Sequence, residues 1–313
     1  MNRSSWKPLW RGNRHQMPRE YRDLLVSAAD GLRLYARDYS PEIGGALPVV
    51  CLPGLARTSE DFHDLATALS TDPRRPRRVL ALDYRGRGRS EWDRNWHNYD
   101  VRVELNDTLQ VLAAAGIERA AFVGTSRGGL ITMALSAVRP TLLAGAVLND
   151  VGPVIETKGL IRIRTYVGKL PEPRSMNEAG QMLRRLSGAQ FPRFTDAQWE
   201  KQARGTWRED GGRLVLNYDP NLMNTLKALD LEMPSPDLWP LFEGLGGVPA
   251  LAIRGSHSDL LTGETLQRMT ERHPRLTALT VEDQGHAPVI DGGLIDAVAR
   301  LVAEAESGIQ AMV

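Results

Sequence analysis

Four side chains are placed to do nucleophilic chemistry: Ser126, Asp150, Asp259 and His286. Ser126 sits in Gly124-Thr125-Ser126-Arg127-Gly128, a G-x-S-x-G pentad at the end of the apolar run Ala120–Val123 and at the head of a helix-like run, Leu130–Leu135. A serine on so sharp a strand-to-helix turn is backbone-strained, and glycines two residues to either side remove the collisions that side chains would make there. A hydroxyl is a weak nucleophile until a base accepts its proton, and a histidine doing so needs a carboxylate to orient it and stabilise its charge. His286, in Gly285-His286-Ala287-Pro288, is the expected base, and Asp259, in Gly255-Ser256-His257-Ser258-Asp259, the expected acid. Asp150 ends another apolar run and is the alternative acid; otherwise it caps a turn. His257, near Asp259, is the rival base, while His15, His63, His97 and His273 read as structural or solvated. An oxyanion formed on attack needs backbone donors, for which the N–H groups of Leu55 and Arg127 are the candidates.

These residues depend on the elements around them. Strand-like runs at residues 21–28 and 32–39 flank Asp30-Gly31, a hairpin signal. Apolar runs at 47–52, 78–82, 120–125, 143–148, 248–253 and 276–281 alternate with helical periodicity near 62–69, 101–115, 130–138, 263–272 and 289–305. Ser59 is a candidate cap for the first of these helices. Alternation of this kind predicts an α/β domain with a doubly wound, mostly parallel sheet, its chemistry at the carboxyl ends of the strands. It breaks between Val151 and Gly247, where helical pieces (180–186, 195–203, 222–229), a Gly211-Gly212 turn and Pro234/Pro236 appear. A block that long reads as an inserted, mainly helical cap. The expected organisation is an arm over 1–20, holding Trp6 and Trp10, a core over 21–150 and 248–313, and a cap over 151–247.

On these residues the chain resembles the α/β-hydrolase superfamily, in its capped serine hydrolase and esterase-like subgroup, over roughly 21–305. The resemblance is carried by Leu52-Pro53-Gly54-Leu55, the Asp83–Ser90 loop, Gly124–Gly129, Gly255–Asp259 and Gly285–Pro288. It implies a carboxylic ester as the leading substrate class, cleaved through the serine–histidine–aspartate triad. Lactone, thioester or amide cleavage, hydrolytic C–C cleavage of diketone-type ring-fission products, cofactor-free haloperoxidase or perhydrolase activity, and a non-catalytic ligand receptor stay open. Epoxide hydrolases and haloalkane dehalogenases are disfavoured, because in those groups an aspartate stands where Ser126 does. Two departures are Pro53, where many members have histidine, and Arg127, where members commonly have an apolar residue. Arg127 therefore either binds an anionic substrate group or closes an internal salt bridge, with Asp150 or a carboxylate of the inserted segment as partner. Tyr166, Trp199, Trp207 and Tyr218, with Leu222 and Met223, are candidates to line a substrate pocket or to form the cap's own small core.

The remaining features point away from other functions. Among 313 residues, 42% are hydrophobic and 25% charged, and the net charge is +1, which gives no reason to expect nucleic acid or an acidic membrane as partner. The single Cys51, in an apolar run, reads as a buried core residue suited to a reducing compartment. No signal-like h-region, membrane-length apolar run or metal-ligand spacing is visible, so a cytoplasmic enzyme without metal or cofactor is expected, acting on a small molecule. The Arg85/Arg87/Arg89 loop lacks the spacing of a phosphate cradle and reads as a structural turn.

Overall fold

A computed structural model describes residues 20–40, 45–231 and 236–310. The arm expected over residues 1–20, with Trp6, Trp10 and His15, lies outside them except for Glu20, as does Pro234. Strands β1 (Arg22–Ser27) and β2 (Arg33–Tyr39) form an antiparallel hairpin, whose turn is closed by Gly31 at φ +86° and by the Asp30 carboxylate accepting the Leu32 N–H. β3 (Val49–Leu52), α1 (His63–Ser70), β4 (Val79–Asp83), α2 (Val101–Ala114), β5 (Ala120–Thr125), α3 (Arg127–Val138) and β6 (Leu143–Asn149) follow in alternation. The segment between β6 and β9 holds α4 (Thr157–Tyr166), α5 (Met176–Ser187), α6 (Asp196–Thr206), the hairpin β7 (Trp207–Asp210) and β8 (Arg213–Leu216), α7 (Leu222–Lys227) and α8 (Trp239–Glu243). β9 (Ala250–Gly255), α9 (Gly263–Arg272), β10 (Leu276–Val281) and α10 (Gly292–Gln310) complete the chain.

Eight strands form one sheet in the order β1-β2-β4-β3-β5-β6-β9-β10, parallel from β4 onward. Its inner strands β3, β4, β5, β6 and β9 are buried on both faces, so alternate residues of one strand enter different cores. Val50 and Leu52 of β3 pack with Phe122 of β5 and with Leu112, Ile131, Phe242 and Met269 from α2, α3, α8 and α9. Val49 and Cys51 face the other way, against Leu65 and Leu69 of α1 and Val298 and Leu301 of α10. Double burial is why these strands read as continuous apolar runs rather than alternating ones. Two local expectations are revised. The turn before α1 is capped by Thr58, whose hydroxyl accepts the Glu60 N–H, while the Ser59 N–H is directed to the Asp83 carboxylate at 2.7 Å. The last helix starts at Gly292, later than expected, and runs on to Gln310. Among the described residues, no helix is long and apolar enough to cross a membrane.

The far end of α10 is tied to the start of β3 by charge. The Glu306 carboxylate accepts the Leu47 N–H (3.0 Å) and pairs with Arg75 (2.6 Å) and Arg77 (2.8 Å). Burial alone would raise its pKa, but the Arg75 hydrogen bond, the Leu47 N–H and Arg77 outweigh that and pull it from 4.5 down to about 2. A depressed carboxyl pKa contributes stability that is complete above the unfolded value and is lost as the pH falls through the folded one. Because Arg75 is half exposed, screening reduces the contribution to about 1–2 kcal/mol. Glu306→Gln is therefore expected to destabilise the protein by that amount at pH 7, and roughly half as much at pH 3. Urea unfolding at the two pH values measures the difference; an equal gap at both would show that packing, not charge, is what the substitution removes.

Candidate active site

The hydrogen-bond chain Ser126–His286–Asp150 lies at the carboxyl ends of three strands. Ser126 separates β5 from α3 at φ 50° and ψ −111°, a strained backbone for a residue with a side chain. Its N–H is held by the Asn149 carbonyl (3.0 Å), and its own carbonyl receives Gly129 and Leu130 as the helix begins. Helix and strand meet too closely there for side chains. A Cβ on Gly124 would stand 2.5 Å from the Gly128 backbone, and one on Gly128 would stand 2.0 Å from the Leu52 carbonyl oxygen.

His286, on the loop after β10, places Nε2 3.0 Å from Ser126 Oγ and Nδ1 2.8 Å from Asp150 Oδ2. Asp150 follows β6 in the left-handed region (φ 56°), fully buried, with its N–H on the Ile253 carbonyl at 2.7 Å. Its carboxylate also accepts the Gly255 N–H at Oδ1 (2.9 Å) and the Ser258 hydroxyl at Oδ2 (2.6 Å). Both oxygens are thus fixed by donors, and one of them is aimed at the imidazole.

Asp259, the acid expected from sequence, is not the imidazole's partner. It is turned to Arg162 of α4, which donates from Nε (2.6 Å) and Nη2 (3.0 Å). Burial opposes its ionisation, but the Arg162 hydrogen bonds and charge prevail and hold the carboxyl below its ordinary value. Successive residues of a loop diverge in direction, and Ser258 is the one that points at the site. His257 stands 3.8 Å from Asp283 and takes no part in the chain, while Asp283 itself pairs with Arg193 at 2.6 Å. His63 borders the pocket but is engaged by the Tyr39 hydroxyl (2.9 Å).

The N–H of Arg127 opens α3, where helical N–H groups have no partner within the helix. The Leu55 N–H, after Pro53-Gly54, takes no part in the backbone bonds of its loop. A Cβ on Gly54 would lie 3.9 Å from Ser126 Cβ, so this loop passes directly over the serine.

Arg127's side chain does not enter the pocket, contrary to the substrate-binding expectation. Its Nε is 3.2 Å from Glu104, a fully buried carboxylate of α2, and its Nη2 donates to the Tyr99 carbonyl at 3.1 Å. The internal salt bridge is thus the arrangement found, with a partner on neither Asp150 nor the inserted segment. The loop arginines are spent likewise: Arg85 pairs with Asp107, Asp93 and Asp30, Arg87 with Glu104, and Arg89 with Asp23.

Above Ser126 lies a cavity of about 240 Å³, bordered by Leu55, Ser126 and His286 below and by residues of α4, α5 and α6 above. Of the six expected lining residues, Tyr166, Trp199 and Tyr218 border it, and Trp207, Leu222 and Met223 do not. Burial pushes the Tyr218 phenol up to about 12, and its oxygen accepts the Gly168 N–H (3.2 Å). The Trp207 ring is fully buried with Ala179 and Ala203, and its indole N–H is bonded to the Pro171 carbonyl, which makes it core of the β6–β9 segment. Leu222 is likewise buried, against Tyr99 and Ile163.

Comparison with known proteins identifies the family and the fold. Residues 48–160 match the family described as the alpha/beta hydrolase fold. A 3-hydroxybutyrate-oligomer hydrolase of Cupriavidus necator is 36% identical over 255 residues, covering 77% of this chain and 82% of that protein. The sn-1-specific diacylglycerol lipase ABHD11 of Mus musculus is 28% identical over 246 residues, covering 76% and 74% respectively. The crystal structure of an alpha/beta hydrolase from Novosphingobium aromaticivorans superposes with a TM-score of 0.83 at 39% identity, covering 91% of this chain and 99% of that one. With a relative 36% identical over 82% of its length, and the same fold in a solved structure 39% identical, the chain belongs to the α/β-hydrolase family and is a hydrolase.

Proposed function

We propose that the protein hydrolyses carboxylic esters, with Ser126 as nucleophile, His286 as general base and then acid, and Asp150 as the carboxylate that orients the imidazole. The observation that carries this reading is the continuous Ser126–His286–Asp150 chain, 3.0 and 2.8 Å, opening on the cavity floor. Because Asp150 accepts at Nδ1, the proton sits there and Nε2 is free to take the serine proton. Oγ attacks the ester carbonyl, the N–H groups of Leu55 and Arg127 receive the oxyanion, and the imidazolium returns its proton to the departing alcohol. Water then attacks the acyl-enzyme by the same route in reverse.

The segment over 151–247 acts in this reading as a cap. Its Ile163, Tyr166, Leu183, Phe191 and Trp199 give the acyl chain an apolar enclosure. A cavity of this size suits a short acyl unit, and the relative acting on 3-hydroxybutyrate oligomers supports short linear oligoesters as the substrate class. C–C hydrolysis drew its support from a cation facing the substrate at position 127, and that side chain is engaged by Glu104.

A fluorophosphonate probe followed by peptide mapping should label Ser126, and p-nitrophenyl esters should be turned over fastest at acyl lengths of about four carbons, along with 3-hydroxybutyrate dimers and trimers. Absence of labelling together with inert esters would end the serine-hydrolase reading. Labelling with preference for long acyl chains would end only the short-oligoester assignment.

A further inference from the structure

We infer that Glu104 is a positioning residue for the oxyanion hole, holding its two donors, Leu55 and Arg127, in register through a buried arginine pair. This rests on the assignment of Ser126 and of those two N–H groups made above. Leu55 and Arg127 come from loops after different strands, and nothing in their sequence neighbourhoods links them. The link runs underneath. Arg87 is fully buried and donates from Nε to the Leu55 carbonyl (2.7 Å) and from Nη1 to the Arg85 carbonyl (2.6 Å). The same Nη1 lies 2.6 Å from Glu104 Oε1, and the other carboxylate oxygen, Oε2, lies 3.2 Å from Arg127 Nε. One carboxylate, completely withdrawn from solvent, therefore holds one arginine that grips the Leu55 peptide and a second that begins the nucleophile helix.

The cluster is sensitive to charge. Glu104 is in contact with two cations and is the anion that lets them stay together. Burial and the nearby Arg127 charge pull the Arg87 guanidinium below its ordinary value, with Glu104 opposing them. Neither Glu104 oxygen has an aligned hydrogen bond, so the contact is chiefly electrostatic. Without the anion the two guanidinium groups repel, and the Leu55 and Arg127 backbones are attached to the groups that move. The apolar border of the cavity is held elsewhere: Trp199 packs against Phe194, with ring centroids 5.2 Å apart, and edge-on against Phe191 at 6.1 Å. Donors displaced from the developing charge lower the rate of the chemical step and leave substrate binding unchanged.

Kinetics on p-nitrophenyl butyrate test this with Glu104→Gln, which keeps shape and removes charge, and Glu104→Asp, which keeps charge. The expected result is a kcat lower by about 10- to 100-fold in Glu104→Gln, with KM within about twofold, and most of the loss recovered in Glu104→Asp. Fluorophosphonate labelling should slow in parallel, since it too develops charge on an oxygen in that hole. A folded Glu104→Gln protein with wild-type kcat, or one altered only in KM, overturns the inference. Should Glu104→Gln not melt cooperatively, Arg87→Lys decides: the ammonium still neutralises Glu104 but has no fork to hold both carbonyls. A kcat loss at constant KM then supports the inference, and wild-type kcat overturns it. Failure of the underlying reading looks different, because then the wild-type protein itself is unlabelled at Ser126.

Discussion

Asp150→Asn is expected to lower kcat by about 10³- to 10⁴-fold, whereas Asp259→Asn should leave kcat within about threefold of wild type. The asymmetry follows from which donors surround each carboxylate. In Asp150→Asn the amide has a forced orientation. The Gly255 N–H, 2.9 Å from Oδ1, requires an acceptor, so the carbonyl end must stay there and the amino group must replace Oδ2. That group would then donate to His286 Nδ1, which faces it at 2.8 Å. An imidazole that accepts at Nδ1 carries its proton on Nε2, the nitrogen 3.0 Å from Ser126 Oγ, and can no longer receive the serine proton. Ser258 adds to the conflict: its hydroxyl donates to Oδ2 at 2.6 Å while accepting the Leu260 and Leu261 N–H groups, and it would meet a second donor instead. The backbone should be spared, since asparagine tolerates the left-handed conformation found at 150. Asp259→Asn removes an ion pair with Arg162 and no contact with the imidazole. Steady-state kinetics of the two variants, with circular dichroism to verify folding, decides the matter. A crippled Asp259→Asn enzyme beside an active Asp150→Asn one would restore the assignment expected from sequence.

That assignment shows what a sequence of this kind can and cannot carry. The Ser126–His286 pair was legible because local rules specify it: glycine spacing marks the elbow, and Gly285-His286 sits on the loop that follows the last parallel strand. The parallel sheet was legible for the same reason, since strands buried on both faces leave continuous apolar runs such as Val49–Leu52. The acid was not. Asp150 and Asp259 both follow strands, β6 and β9, that lie side by side in the sheet, so either could reach the imidazole. The choice depends on side-chain direction within one loop, where Ser258 turns inward and Asp259 outward, and chain order does not encode that. Arg127 was legible as unusual, but its partner was not: Glu104 lies on α2, 23 positions earlier, and nothing in the pattern of α2 separates it from a solvated helix glutamate. The same holds for Trp207 beside Trp199, one in the interior of the β6–β9 segment and one on the cavity wall.

Gly128→Ala should be as damaging as the loss of a catalytic group, although Gly128 has no chemistry of its own. Its added methyl would stand 2.0 Å from the Leu52 carbonyl oxygen and 2.5 Å from the carbonyl carbon, both backbone atoms of a central strand. No rotamer change relieves a collision with backbone, so α3 must lift from β3 by about 1 Å or more to restore contact distance. Overpacking of this severity costs about 3 kcal/mol or more. The functional cost is separate, because α3 starts at Arg127 and its displacement carries the Arg127 N–H and Ser126 away from Leu55 and His286. A misplacement of about 1 Å between reacting groups can cost a further 10²-fold in rate. Gly247→Ala is the matched control, since nothing lies within 4 Å of the methyl it would add, and it should be neutral to slightly stabilising. Thermal or urea unfolding gives the first effect, and kcat/KM measured well below the melting transition gives the second. A Gly128→Ala protein with wild-type stability and turnover would mean that the strand-to-helix contact is looser than this geometry, and that the elbow does not depend on close approach of its backbones.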